Sequence, residues 1–91
     1  MNAEDVLKLE EKWRETNKDV IVDNLEKYLI EKKPECEKFK AKIDFLMDIT
    51  GDKEQTVYAW INRSRKNVKV PFLKLCKIAS ALDVEVNKLL Y

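Results

Sequence analysis

Helix-breaking residues are almost absent from this chain, whose 91 residues include a single glycine and two prolines. Between Pro34, Gly51 and Pro71 the apolar residues recur at intervals of three and four, which is the spacing of one face of a helix. Strand-rich domains need many turns that contain glycine or proline. The scarcity of both residues therefore predicts an all-α fold, and the length predicts one domain with one modest core.

The same pattern predicts a compact bundle of five or six helices. We expect them at about residues 3–15, 19–33, 35–49, 52–62, 71–82 and 85–90. Thr16, Asn17 and Asp19 are alternative N-caps for the second helix. The residues predicted to be buried share helical spacing within these segments: Val6, Leu9, Trp13, Val20, Ile21, Leu25, Tyr28, Leu29, Cys36, Phe39, Ile43, Leu46, Met47, Val57, Trp60, Ile61, Phe72, Leu75, Ile78, Ala79, Leu82, Val86, Leu89 and Leu90.

Residues 51–62, GDKEQTVYAWIN, form a turn followed by a short helix. Gly51 ends the preceding helix, and Asp52 with Gln55 three residues later fits a capping box. So short a helix is stable only when it packs against the rest of the domain. Its buried stripe is Val57, Trp60 and Ile61. The side chains left for other contacts are Glu54, Gln55, Tyr58, Ala59 and Asn62.

The charges are unevenly distributed along the chain. Residues 1–51 hold 10 Lys/Arg and 13 Asp/Glu, a net charge of −3, whereas residues 52–91 hold 8 and 4, a net charge of +4. The segment from Gln55 to Leu82 contains no acidic residue. Such a window is either a solvated face or a surface for a negatively charged partner, and we favour the second interpretation. Its six cations are Arg63, Arg65, Lys66, Lys69, Lys74 and Lys77.

The composition argues against catalysis, cofactors and membranes. The chain has no histidine, no CxxC pair and no glycine-rich phosphate loop, so we expect no enzyme, no metal, no cofactor and no small-molecule substrate. Asp44 and Asp48 are a solvated helix face rather than a catalytic pair. No segment reaches the length of a membrane span, and we expect a cytoplasmic protein whose Cys36 and Cys76 are free thiols.

Residues 51–90 resemble the second half of a lambda-repressor-like helix-turn-helix domain, a family that includes Cro, phage repressors and XRE-type regulators. That family has Thr-Val-x-x-Trp on its recognition helix, a proline opening the next helix, then Leu-x-x-Ile-Ala-x-x-Leu-x-Val and a closing leucine. The matching residues here are Thr56, Val57, Trp60, Pro71, Leu75, Ile78, Ala79, Leu82, Val84 and Leu89. The resemblance implies a DNA-binding domain over residues 19–91, preceded by a helical extension over residues 1–18, within one compact domain.

Three features depart from the family pattern. The turn reads Gly51-Asp52-Lys53, where an apolar residue and then Ser or Thr are usual. Ile43 and Met47 occupy positions that usually hold a DNA-facing glutamine and a small residue. The loop after the recognition helix is about four residues longer than usual, and its extra residues are basic.

The resemblance implies a set of DNA-contacting residues. Gln55 is the candidate for pairing with adenine, and Glu54 either accepts from cytosine or interacts with the helix dipole. The cations of the loop either bind phosphates or only keep the protein soluble. The implied base contacts are Glu54, Gln55, Tyr58 and Ala59. The implied phosphate contacts are Lys53, Thr56, Asn62, Arg63, Arg65, Lys66 and Lys69.

The expected function is sequence-specific binding of double-stranded DNA by a small phage or mobile-element repressor. One short recognition helix gives limited specificity, so we expect a homodimer on a palindromic operator. The dimer surface is either the N-terminal helix or the C-terminal Leu89-Leu90-Tyr91, and Trp13 is either a core residue or a dimer contact. The alternative function is a protein-binding module, such as an antitoxin, antirepressor or phage inhibitor protein, which the acidic N-terminal half and near-neutral total charge favour.

Overall fold

A computed structural model describes residues 2–91 as an all-helical bundle with no strand in that range. The six α-helices are α1 Ala3–Glu15, α2 Lys18–Lys32, α3 Phe39–Thr50, α4 Glu54–Ile61, α5 Phe72–Ala81 and α6 Asn87–Leu90. A 3₁₀ helix, Pro34–Glu37, connects α2 to α3. The predicted all-α fold is therefore confirmed. None of the helices in the described range is both long and apolar enough to cross a membrane.

The core lies between α2, α3, α4 and α5, and α6 closes one end of it. Leu25, Leu46, Val57 and Leu75 are fully buried, one from each of the four helices. The buried face predicted for α5 is confirmed at every position, from Phe72 to Leu82. Helix α4 has only eight residues, too few to be stable alone, so the packing of its buried face rather than intrinsic propensity stabilises it.

Three residues predicted to be buried, Phe39, Val20 and Val6, lie on the surface instead. Phe39 is 50% exposed, because the chain turns through the 3₁₀ helix and begins α3 only at Phe39. A continuous helix from residue 35 would have kept Cys36 and Phe39 on one face, but the break changes the helical phase between them. Val20 is likewise exposed, and Val22 takes its place in the core of α2.

The N-terminal helix packs on the bundle through its second half. Trp13 Nε1 donates a hydrogen bond to the carbonyl of Val70 at 2.8 Å, and the Trp13 ring lies 6.4 Å from that of Phe72. The Thr16 hydroxyl lies 3.3 Å from the Leu90 carbonyl. Trp13 is therefore packed against the core, as one of the two interpretations predicted. No residue of α1 is fully buried, and Leu7 near its start is largely exposed.

The N-cap of α2 and the state of both cysteines agree with the predictions. Asn17, one of the three candidate caps, accepts a hydrogen bond from the Asp19 amide at 2.8 Å. Cys36 and Cys76 are both free thiols, as predicted. Burial raises the pKa of each thiol, which keeps both protonated near neutral pH.

Candidate nucleic-acid interface

The turn between α3 and α4 is tight and is set by Gly51. Gly51 has φ 75° and donates its N–H to the Met47 carbonyl at 2.8 Å, which ends α3 in a left-handed residue. Helix α4 then begins at Glu54, with Lys53 at the N-cap and no side-chain cap. The tight turn presents the first residues of α4 toward solvent.

The predicted capping box is wrong. Asp52 lies one residue too early to cap α4, and its side chain turns toward α5 instead. Asp52 Oδ2 and Lys74 Nζ form an ion pair at 3.1 Å. The two groups attract by charge alone, because Asp52 Oδ2 accepts no hydrogen bond from the described residues. Lys74 also donates to the Thr50 carbonyl at 3.0 Å. Gln55 is therefore not needed as a cap, and its amide group stays exposed.

The exposed side of α4 carries most of the predicted base-contacting residues. Glu54, Gln55, Thr56 and Tyr58 are exposed, together with Lys53 before them. We call these five residues the α4 face. Four of them, all but Thr56, line one open cleft of about 830 Å³ with Arg65 from the following loop. The structure thus brings a basic loop residue beside the predicted reading residues.

Ala59 does not belong to the α4 face. It is only 7% exposed and lies on the side of the helix that packs against the bundle. Its carbonyl group accepts a hydrogen bond from a lysine of α2. We therefore remove Ala59 from the candidate base contacts. Ile43 is also buried, so it cannot take the DNA-facing role of the glutamine that is usual at its position.

Arg63, the first cation of the loop, is bound by acidic residues of α2. Its Nη2 atom lies 2.7 Å from Asp23 and 2.6 Å from Glu26, and its Nη1 atom lies 3.9 Å from Asp19. Glu26 also pairs with Lys42 of α3. Burial alone would raise the pKa of Glu26, but hydrogen bonds and charge from Lys42 and Arg63 outweigh burial and lower it. Arg63 is thus neutralised within the protein.

Two further predicted phosphate contacts, Lys69 and Asn62, make hydrogen bonds within the chain. The Lys69 Nζ atom donates to the Thr16 carbonyl at 2.9 Å and to the carbonyls of Trp13 and Arg14, which are the last acceptors of α1. Burial lowers the pKa of Lys69. The Asn62 side chain accepts from the amide and hydroxyl of Ser64 at 3.1 and 2.7 Å. The Lys69 ammonium is therefore not free to bind a phosphate without first breaking its bonds. The Asn62 side-chain NH2 group is a donor that these bonds do not use, so Asn62 keeps one group for a phosphate.

The loop of residues 63–69, which we call the basic loop, therefore offers two available cations. Arg65 and Lys66 are exposed, and their side chains make no hydrogen bond or ion pair with residues 2–91. Two hydrogen-bonded turns shape the loop, from the Arg65 amide to the Asn62 carbonyl and from the Val68 amide to the Arg65 carbonyl. The candidate phosphate contacts are reduced to Lys53, Thr56, Asn62, Arg65 and Lys66.

Sequence reasoning missed two features of this surface. One is Lys18, which lies beneath the end of α4 and donates to three carbonyl groups. The other is an exposed aromatic pair, in which the rings of Phe39 and Tyr58 meet edge to face at 5.5 Å. Periodicity identifies which side chains are apolar, but it does not identify a lysine whose partners are backbone oxygens more than 40 residues away.

No protein-family model matches this chain. No curated protein and no solved structure is significantly similar to it.

Proposed function

We propose that the chain is a sequence-specific DNA-binding regulator built on a lambda-repressor-like helix-turn-helix, and that it acts as a small cytoplasmic repressor of phage or mobile-element type. It is not an enzyme in this proposal. The observation that carries it is the α4 face: a short helix behind a tight glycine turn exposes Gln55 between Lys53 and Arg65. An α-helix of this kind fits the major groove of B-DNA.

The roles of the α4 face follow from the chemistry of its side chains. The Gln55 amide can donate to N7 and accept from N6 of adenine, a bidentate pair that contributes about 1–3 kcal/mol of discrimination. Glu54 can accept from the amino group of cytosine. Lys53, Arg65 and Lys66 bind phosphates, and Thr56 positions the helix on the backbone. The residues that contact the phosphate backbone give affinity and register, while Gln55 gives sequence preference.

We further propose a homodimer on a palindromic site. Leu89 and Leu90 are buried in the core, so the C-terminal dimer surface predicted from the sequence is reduced to Tyr91. Val6 and Leu7 near the start of α1 are exposed and leave α1 as the better candidate. Two copies double the number of base contacts when their half-sites lie about one helical turn apart.

The test is a salt series with duplex DNA, followed by selection from a random duplex pool. Three phosphate contacts per copy, at about 0.9 each, predict a slope in log affinity against log salt of about −2.7 for one bound copy and about −5.4 for a dimer. Between 50 and 200 mM salt the binding should then weaken about 40-fold for one copy and about 2,000-fold for a dimer. Gln55→Ala should weaken the selected site and leave random duplex unchanged. Absence of duplex binding at low salt, or equal loss at both sites, contradicts the proposal.

A protein-binding module is the second candidate, and a specific observation favours it. Phe39 and Tyr58 form an exposed aromatic pair beside Arg63, which three carboxylates hold. Aromatic and arginine residues are enriched at the centres of protein interfaces. The same salt series separates the candidates, because a protein-binding surface of this composition predicts no steep dependence of duplex affinity on salt.

A further inference from the structure

Lys18 lies beneath the junction between α4 and the basic loop. Its Nζ atom is 2.8 Å from each of the carbonyl oxygens of Ala59, Asn62 and Arg65. An ammonium group has three N–H donors, so all of them are used. Lys18 is only 4% exposed, although it is the first residue of α2. This one side chain joins α2, the last turn of α4 and the loop.

The Lys18 ammonium differs from the other occupied cations of this region. Arg63 and Lys74 are paired with carboxylates, whereas Lys18 has no carboxylate within ion-pair distance in the part of the chain that the structure describes. Its positive charge is therefore compensated by the partial negative charge of the three carbonyl oxygens and, at a longer distance, by the charge of Asp19. Burial, and then the charge of Arg65, lower the pKa of Lys18, consistent with two cations held close together.

The bond to Arg65 links this buried group to the α4 face. Lys18 holds the Arg65 carbonyl, and the Arg65 side chain lines the same cleft as Gln55 and Tyr58. An arginine on an untethered loop loses conformational entropy when it binds a partner. A fixed backbone at Arg65 removes part of that cost before binding.

We infer that Lys18 is a positioning residue for the α4 face: by binding the carbonyls of Ala59, Asn62 and Arg65, it holds the Arg65 guanidinium beside Gln55 so that both engage one DNA site. The inference rests on the proposed function. The contact between Arg65 and DNA then depends on Lys18, although Lys18 is buried and does not itself contact DNA. The inference also predicts that the two residues are energetically coupled in binding and not merely in folding.

The experiment is a double-mutant cycle on duplex affinity with Lys18→Met and Arg65→Ala in the full chain, well below the unfolding temperature. Each single variant should weaken random-duplex binding about ten-fold, and the double variant should bind only about ten-fold weaker rather than a hundred-fold. Arg65→Ala should reduce the salt slope by about 0.9 per bound copy in the parent and by almost nothing in the Lys18→Met background. Amide exchange of residues 62–68, without DNA, should accelerate in Lys18→Met.

Lys69→Met is the matched control. Lys69 also donates to three carbonyls, but they belong to the end of α1, so this variant should lower stability and leave the effect of Arg65→Ala unchanged. If Lys18→Met does not fold, Lys18→Gln replaces it, because the amide keeps two N–H donors, and a smaller coupling of the same sign is expected.

The outcomes distinguish this inference from the proposed function. If the parent protein binds duplex with the expected slope but the Lys18 and Arg65 effects add, Lys18 is only a structural residue and the inference fails alone. If the parent binds no duplex at low salt, both fail. In that case faster loop exchange in Lys18→Met would show a loop anchor with no part in DNA binding.

Discussion

Glu26 connects three parts of the bundle, so its replacement should lower the free energy of unfolding by an amount that its contacts determine. One carboxylate on α2 pairs with Lys42 of α3 and with Arg63 of the basic loop. The Lys42 side chain is only 8% exposed, so Glu26→Gln leaves a buried ammonium without its counter-charge. Breaking a fully buried pair costs about 3–5 kcal/mol. Glu26 retains some solvent contact, so we expect a loss of about 2 kcal/mol in the free energy of unfolding at pH 7.

The assay is urea and thermal unfolding followed by circular dichroism. A loss of about 2 kcal/mol corresponds to a decrease of roughly 10 °C in Tm for a domain of this size. Asp44→Asn is the control, because the Lys40–Asp44 pair, at 3.3 Å, is well exposed and should contribute less than about 0.5 kcal/mol. Lys42→Met should cost less than Glu26→Gln, because Glu26 then keeps Arg63 as its partner.

The pH dependence gives a second check on the same residue. The pKa of Glu26 is lower in the folded protein than its ordinary value of about 4.5, so the folded form binds fewer protons than the unfolded form. Its contribution to stability is therefore complete above about pH 4.5 and is lost as the pH falls through the lowered pKa. The difference between the parent and Glu26→Gln should shrink over that range. A difference that is negligible at pH 7, or that does not change on acidification, refutes this account of the network.

Three further predictions concern the turn, the loop and the thiols. Gly51→Ala should cost about 1–2 kcal/mol in unfolding free energy, because alanine is strained at φ 75°, and an unchanged urea midpoint would contradict this. Arg65→Ala should flatten the salt slope of duplex binding while Arg63→Ala should not, since α2 already neutralises Arg63; equal slopes for both variants would contradict this. Cys36 and Cys76 should react slowly with a thiol reagent at pH 7 and quickly in urea, because burial raises both pKa values; rapid labelling of the folded protein would contradict this.

Apolar periodicity predicts the helices of this chain well and its polar contacts poorly. The α5 face was predictable because its buried residues recur three or four positions apart, as Phe72, Leu75, Ile78 or Ala79, and Leu82, along one uninterrupted helix and its C-cap. Phe39 was not, because the short 3₁₀ helix after Pro34 shifts the helical phase. The positions of α3 and α4 were predictable from Gly51. The lack of a side-chain cap on α4 was not, since Asp52 pairs instead with Lys74, 22 residues away in the chain.

In the candidate site, too, the local pattern predicts which side chains are exposed but not which polar side chains have partners. The exposure of Glu54, Gln55 and Tyr58 follows from their place opposite the buried stripe of α4. Counting cations in the loop overstated the available charge, because sequence does not show which lysines and arginines have partners within the fold. Arg63 and Lys69 are bound by segments 37 to 56 residues earlier in the chain, and local pattern carries no information about such contacts.

The attachment of α1 has a consequence for how the molecule opens. With no fully buried residue, α1 would by itself be expected to detach from the bundle at little cost. Its last turn, however, is bonded to Lys69, and its indole is bonded to Val70, at the far end of the basic loop. Detaching α1 therefore also releases that end of the loop. The two segments should exchange their amide protons in one concerted event, while Lys18 keeps the other end of the loop, at Arg65, in place.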